Sequence, residues 1–430
     1  MQLFPELPWI AKILGSLGII LLANSLLKRL ALAMAIGSLV LALFAGHSPG
    51  AILAITCHQL FNAKHLTFLL VIALVYWLSH QMSATGLMED LVNLIQGRLS
   101  ARGSFLVLPL VIGLLPIPGG ALFSAPLVDN CDQEKRFKPE FKSAVNYWFR
   151  HPWEYCSPMF PGPLLAMEIA ALSTLQFLWV GLPLALISII AGYYFLLRQV
   201  PADGRSDGLS QPGFFRRFLF LIAPIMIVIG AYTLYQLLPA AIRWDNNYFP
   251  ISLGIIGAIL WLQHFRPLLA SKWREIFFQK KIITLALQMS MIRVYGAFIE
   301  AKLPDGTLLV AKFSAELASY GIPAVLMVML IPFVSALSTG LAVGYIGASF
   351  PIVISLLGPS PSFGAVLSAV VLAQGFGMIG LMLSPVHVCL LVSNEYFETR
   401  LTPSLAQLLK PSALVLISTY LLHLLYIMIF

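Results

Sequence analysis

Apolar stretches long enough to cross a lipid bilayer recur along the whole chain, at 9–26, 30–46, 64–81, 144–171, 175–197, 217–239, 249–264, 281–298, 364–393 and 411–430. A crossing helix needs about 20 mostly apolar residues, because a rise of 1.5 Å per residue must span about 30 Å of hydrocarbon. Of the 430 residues, 59% are hydrophobic and 10% are charged, whereas a domain that faces water carries roughly 25% charge. So few charges cannot cover a soluble surface. A soluble enzyme, a disordered chain and a collagen-like fibre are excluded, and the fold class is an all-α polytopic membrane protein. Two further apolar stretches, 104–130 and 320–358, are broken in the middle by Gly, Pro and Ser. They read as re-entrant hairpins. Segments 84–103 and 300–318 mix charge with helical apolar periodicity and read as interfacial amphipathic helices.

The net charge of +8 is an orientation signal and implies no nucleic-acid partner. If residues 27–29 face the cytoplasm, the same side receives 82–103, 131–143, 198–216, 265–281 and 394–410. Those segments hold 19 of the 26 Lys and Arg, against four opposite (Lys64, Arg243, Lys302, Lys312). The bias predicts ten spans plus two hairpins, with both termini outside. If both hairpins crossed fully, there would be twelve spans and the basic loop 131–143 would fall outside. Residues before the first apolar run form no separate basic region or cleavage site, so no removed signal peptide is expected. Cys57, Cys131, Cys156 and Cys389 show no CxxC or zinc spacing and read as structural thiols, with no metal site.

Two stretches of the chain resemble each other. Residues 86–126 align with 306–351, bringing Gly86 onto Gly306, Gly119 onto Gly340 and Pro126 onto Pro351. Further on, Ser157-Pro158 aligns with Ser384-Pro385, and Glu168 with Glu395. The predicted organisation is N-terminal scaffold helices (1–63), a first repeat (64–197), a linker with central helices 217–264 (198–280), and a second repeat of opposite orientation (281–430). Paired interruptions of this kind mark the binding sites of inverted-repeat transporters.

The breaks are the chemically informative part. Irregular backbone survives in hydrocarbon only inside protein or beside a water-filled cavity. Pro116, Ile117, Pro118, Gly119 and Gly120 cannot continue a helix, and Ser338, Thr339 and Gly340 interrupt the second hairpin. Each tip would offer half-helix N–H groups to an anion and carbonyl oxygens to Na⁺. Pro118, Gly119, Gly120, Ser124, Ser157, Ser338, Thr339, Gly340 and Ser384 are therefore candidate substrate or ion contacts. Close packing through small residues is the plainer alternative. Arg150, His151, Glu154, Glu168, His387, Asn394 and Glu395 lie near the breaks. A charged residue at membrane depth is a functional candidate, and Glu154, His387, Glu168, Glu395 and His151 are candidate proton carriers. End-capping (Arg150, His151), solvation (Glu168, Glu395) and a satisfied core (His387) are the structural alternatives. Arg293 and Glu300 read as a structural pair within one helix.

The stretches LPIPGGALFSAP (115–126), YWFRHPWEYCSPMFPG (147–162) and MLSPVHVCLLVSNEYF (382–397) resemble a family of prokaryotic membrane proteins of unknown function. That family is grouped with the ion transporter superfamily of gluconate, citrate and dicarboxylate permeases. The resemblance covers about residues 30–425. It implies an inner-membrane homodimer with an inverted-repeat fold, in which a subdomain carrying both hairpins moves by an elevator motion. The dicarboxylate branch carries Ser-Asn-Thr at its hairpin tips. Here the tips are Pro118-Gly119-Gly120 and Ser338-Thr339-Gly340, with no Asn, which leaves substrate and Na⁺ coupling open.

No HExxH, GxGD, GxSxG or Walker A motif lies at membrane depth, so no enzyme is expected. Two readings remain. One is a transporter of a small anionic or polar solute driven by H⁺ or Na⁺. The other is a cation/proton exchanger or ion path with no organic substrate.

Overall fold

The structure, a computed structural model, describes residues 4, 6–96, 99–114, 121–132, 135–201, 213–239, 246 and 248–430. Its described residues are helical or irregular, with a single isolated bridge between Lys302 and Leu308. The chain opens with α1 (Trp9–Leu27), α2 (Leu30–Phe44), α3 (Pro49–Leu60), α4 (Ala63–Ala84) and α5 (Leu87–Gln96). The paired helices α6 (Ala101–Gly113) and α7 (Ala121–Asn130) follow. After them come α8 (Pro139–Arg150), a 3-10 turn (Pro152–Tyr155), α9 (Pro161–Ile169) and α10 (Thr174–Phe195). The second half has the same order: α11 (Phe214–Gln236), α12 (Tyr248–Phe265), α13 (Ala270–Phe277), α14 (Lys280–Glu300) and α15 (Leu309–Ser319). It continues with the pair α16 (Ala324–Thr339) and α17 (Ala342–Ser355), then α18 (Phe363–Met382), α19 (Val388–Tyr396) and α20 (Leu401–Ile429).

Packing repeats as faithfully as order. α1 lies on α15 and α11 on α5; α2 lies on α14 and α12 on α4; α7 lies on α19 and α17 on α9; α8 lies on α20 and α18 on α10. Each contact maps onto its partner when ten is added to, or taken from, both helix numbers. The correspondence visible between 86–126 and 306–351 thus extends to α1–α3 and α11–α13, segments whose sequences show no such match. α4 and α14 pack on each other and join the two halves.

Among the described residues, eight helices are long and apolar enough to cross a membrane. Their outer faces carry Leu22, Leu26, Trp179, Ile190, Ile229 and Leu260, all exposed, where a soluble protein would carry charge. Two expected crossings are not single long helices. Residues 30–46 form the 15-residue α2, about 22 Å long. Residues 144–171 are split between α8, the 3-10 turn and α9, because Pro152, Pro158, Pro161 and Pro163 fall close together and each removes a backbone donor.

The expected amphipathic segments are α5 and α15. On α5, Leu87, Met88, Leu91 and Val92 are buried while Glu89 and Asp90 are exposed. α15 meets α16 at 111°, the bend coming at Gly321, whose φ is +65°. α16 and α17 have 16 and 14 residues, about 24 and 21 Å. They are joined through Gly340 and Leu341 and pack on each other. α18 is the most enclosed of the eight long helices, with 89% of its apolar window buried.

α1 has no cap of its own, Pro8 being its N-cap residue. The two carboxylate oxygens of Glu316 on α15 accept from the Trp9 and Ile10 N–H groups at 2.8 and 2.9 Å. This carboxylate also complements the positive end of the helix dipole. Glu316→Ala should therefore lower stability by about 1–2 kcal/mol, read as a fall in Tm of the detergent-purified protein. An unchanged Tm would show that α1 is held by packing alone.

Candidate functional site

The site forms where the broken helices of both halves meet. After α8 the chain turns through His151 and the 3-10 turn. The Trp153 indole N–H donates to the Leu110 carbonyl at 2.8 Å, tying this turn to α6. The Gln374 amide on α18 donates to the Glu154 carbonyl at 3.4 Å, and the Tyr345 hydroxyl on α17 donates to Gln374 Oε1 at 3.1 Å.

After α18, residues 383–387 make the matching break. Ser384 Oγ donates to the Leu337 carbonyl at 2.7 Å, and His387 Nδ1 donates to the Gly340 carbonyl at 2.8 Å. Both bonds hold the break against the end of α16. Gly340 sits in the left-handed region at φ +62°, and a Cβ there would lie 3.0 Å from the His387 backbone nitrogen. Only glycine meets both demands. Gly113, at the end of α6, makes a similar approach: a Cβ would come 2.2 Å from the Arg150 carbonyl oxygen.

These contacts bring His151 and His387 together, with Nε2 atoms 3.2 Å apart. His151 Nδ1 faces the Tyr147 carbonyl at 2.6 Å, and Glu154 Oε1 lies 3.6 Å from His151 Nε2. Arg150 Nη1 donates to Cys389 Sγ at 3.1 Å. Both histidines are buried. The expected carriers His151, Glu154 and His387 are therefore one cluster.

A cavity of about 330 Å³ opens beside it. One wall is the broken-helix body, with Arg150, Glu154, Gly340, His387 and Cys389; the other is α4 and α14, with Tyr76, Lys281 and Gln288. The first residues of α9 (Pro161, Gly162), α17 (Ala342, Val343) and α19 (Val388, Cys389) also line it. None of these three helix N-termini carries a side-chain cap. Their positive ends, with Arg150 and Lys281, make the cavity a place for negative charge.

The other described candidates do not line this cavity. Pro118, Gly119 and Gly120 are outside the described residues. Ser124 is buried beside Ala121, with Oγ 3.4 Å from its carbonyl. Ser157 Oγ accepts from the Met159 N–H at 3.3 Å. Ser338 is exposed. Thr339 Oγ1 donates to the Ser335 carbonyl at 2.8 Å. Glu395 is exposed on α19.

Glu168 is not solvated but paired. Its carboxylate meets Arg293 Nη1 on α14 at 3.1 Å and accepts from the Tyr248 hydroxyl on α12. With its amide oxygen toward the guanidinium, Gln59 on α3 accepts from Arg293 Nε and Nη2 at 2.8 Å each. Arg293 thus reaches across to α9, and its ion pair is with Glu168 where Glu300 was the expected partner. This clamp ties α9 to α3, α12 and α14, so any sliding of α9 past α14 must break it.

The sequence reading missed a second polar cluster near the first hairpin. Asn146 Nδ2 donates to the Ala121 carbonyl at 3.2 Å and to Ser393 Oγ at 2.9 Å. Ser143 and Ser404 donate to Asn394 Oδ1 at 2.6 and 2.7 Å. The available signal was Ser143 and Asn146 three residues apart, hence on one face of α8. Cys389 was missed as a site residue because its neighbours come from the other half of the chain.

The chain matches, over residues 11–429, the family described as "Protein of unknown function (DUF401)", and it belongs to that family. No curated protein matches it.

Proposed function

We propose that this chain is a secondary transporter of a small anionic or polar solute, driven by H⁺ or Na⁺. The observation that carries the reading is the cavity between α4 and α14 on one side and the broken-helix body on the other. Its 330 Å³ falls at the small end of the range for organic ligands, about 300–1,000 Å³. Three uncapped helix N-termini, Arg150 and Lys281 favour an anion, and the His151–Glu154–His387 cluster in its wall supplies groups able to exchange a proton.

On this reading α6–α7 and α16–α17 are re-entrant, and α16 and α17 are each short of the ~30 Å needed to cross. The two halves have opposite orientation, and ten segments cross a prokaryotic inner membrane with both termini outside. The broken-helix body moves against α4 and α14 in an elevator-type alternating-access cycle, in a homodimer, without enzymatic chemistry. Any Na⁺ is held at the hairpin tips.

A cation/proton exchanger with no organic substrate would use the same His–Glu cluster. The two readings separate in a thermal-shift screen of the purified protein against organic anions and cations, followed by uptake into proteoliposomes. Stabilisation by one class of organic anion, with uptake of the same compound, is expected. Stabilisation by Na⁺ alone, accompanied by Na⁺/H⁺ exchange, would overturn the solute reading. Glu154→Gln should flatten the pH profile of transport, since the amide cannot take up a proton. A profile identical to wild type would make Glu154 a structural group.

A further inference from the structure

We infer that His151, His387 and Cys389, with Glu154 alongside, form a binding site for a borderline transition-metal dication of the Zn²⁺ type. The inference goes beyond the transport reading: a bound dication would take the place of the proton that this cluster otherwise exchanges.

The argument starts from the two rings. His151 Nδ1 lies 2.6 Å from the Tyr147 carbonyl and His387 Nδ1 lies 2.8 Å from the Gly340 carbonyl. A carbonyl oxygen only accepts, so each ring carries its hydrogen on Nδ1 and a bare lone pair on Nε2. The tautomers follow from these partners. The two Nε2 lone pairs then face each other across 3.2 Å. Two neutral rings in that arrangement repel, and a cation bound between them would turn the repulsion into ligation.

A third donor selects the kind of cation. Cys389 Sγ and the histidine ligand atoms all lie within 4.8 Å of one another. Arg150 Nη1 donates to this sulfur at 3.1 Å, and a metal takes such a ligand as the thiolate. Glu154 Oε1, 3.6 Å from His151 Nε2, lies outside that group of three, and water completes the coordination. Two imidazoles, a thiolate and a water are a tetrahedral donor set for zinc.

The spacing fits as well. Tetrahedral Zn–N bonds of 2.0–2.1 Å place two nitrogens about 3.3 Å apart, and the sulfur would need to move inward by about 1 Å. Each ring's N–H on a backbone carbonyl is the supporting contact that metal-ligating histidines use. The ligands come from two helix breaks 236 residues apart, which is why spacing rules for Cys and His see nothing.

The test uses the full chain with exposed Cys57 replaced by Ser, purified in detergent, stripped with a chelator and titrated with Co²⁺ and Zn²⁺. One equivalent of Co²⁺ should bind and produce a thiolate-to-metal charge-transfer band, and Zn²⁺ should displace it. Cys389→Ser should remove the band. His151→Gln and His387→Gln should each weaken binding by more than about 100-fold, the upper end for loss of a supporting partner alone.

No band, or a band that survives Cys389→Ser, would overturn the site and leave a proton shared by the two imidazoles as the occupant. Should Cys389→Ser fail to fold, the Cys57→Ser background still decides through the presence or absence of the band and its loss in His151→Gln. Failure here leaves solute uptake untouched, and failure of uptake leaves the band untouched.

Discussion

Valine in place of Gly340 is expected to reduce solute uptake by proteoliposomes to background while the protein still inserts and purifies as a folded species. The residue sits at φ +62°, which costs an L-residue about 1–2 kcal/mol before any contact, and more for a β-branched side chain. A Cβ would meet the Val386 side chain at 2.9 Å and the His387 backbone nitrogen at 3.0 Å. Backbone cannot move aside as a flexible side chain can. The tip must separate from the 383–387 break, and the Gly340 carbonyl then loses its bond from His387 Nδ1. The cavity wall, the imidazole pair and the start of α17 would all shift together. Uptake close to wild type would remove this tip from the binding site. Gly321 has the same kind of φ and nothing within 4 Å of an added Cβ, so Gly321→Ala is the control for backbone strain alone.

The second large effect is expected at the clamp. Arg293→Ala should destabilise the protein by about 3 kcal/mol, the lower end of the range for removing one partner of a buried ion pair. The lower end applies because the Arg293 and Glu168 side chains keep 20% and 12% exposure. Most of the loss comes from stranding the Glu168 carboxylate, which would keep only the Tyr248 hydroxyl. Replacing both partners, Glu168→Leu with Arg293→Met, should recover most of the stability, since the stranded charge is gone. A double-mutant cycle on the denaturation midpoint measures the coupling. Additive losses would show that the pair contributes nothing beyond each residue's own packing.

How much of this was legible depends on where the partners lie. The helix breaks could be read because Pro and Gly leave a local signature: Pro152, Pro158, Pro161 and Pro163 crowd together and each removes a backbone donor, whereas single prolines such as Pro183 and Pro224 stay inside their helices. The clustered prolines divided 144–171, a stretch whose hydropathy alone suggests one crossing. The repeat was visible at 86–126 and 306–351 because punctuation aligned with punctuation. It was invisible in α1–α3 and α11–α13, where uniformly apolar helices align equally well in many registers. His151, Glu154 and His387 each stood out singly as polar groups beside a break. Their meeting did not, and neither did Cys389, because a contact between the two halves has no sequence spacing to betray it. For the same reason Glu168 read as solvated: Arg293, 125 positions further on, gives no local sign of being its partner.

The exchanged packing of the two halves has a consequence for synthesis. α2 rests on α14 and α12 on α4, and the Ser16 hydroxyl meets the Tyr295 hydroxyl at 3.0 Å across 279 residues of sequence. The first half therefore cannot finish its own interior as it emerges. Several of its helices keep their inward faces uncovered until the last third of the chain arrives. Long-range closure of this kind is slow and leaves incomplete species exposed. The interlocking that builds the cavity also makes the newborn chain dependent on being protected until its final helices are in place.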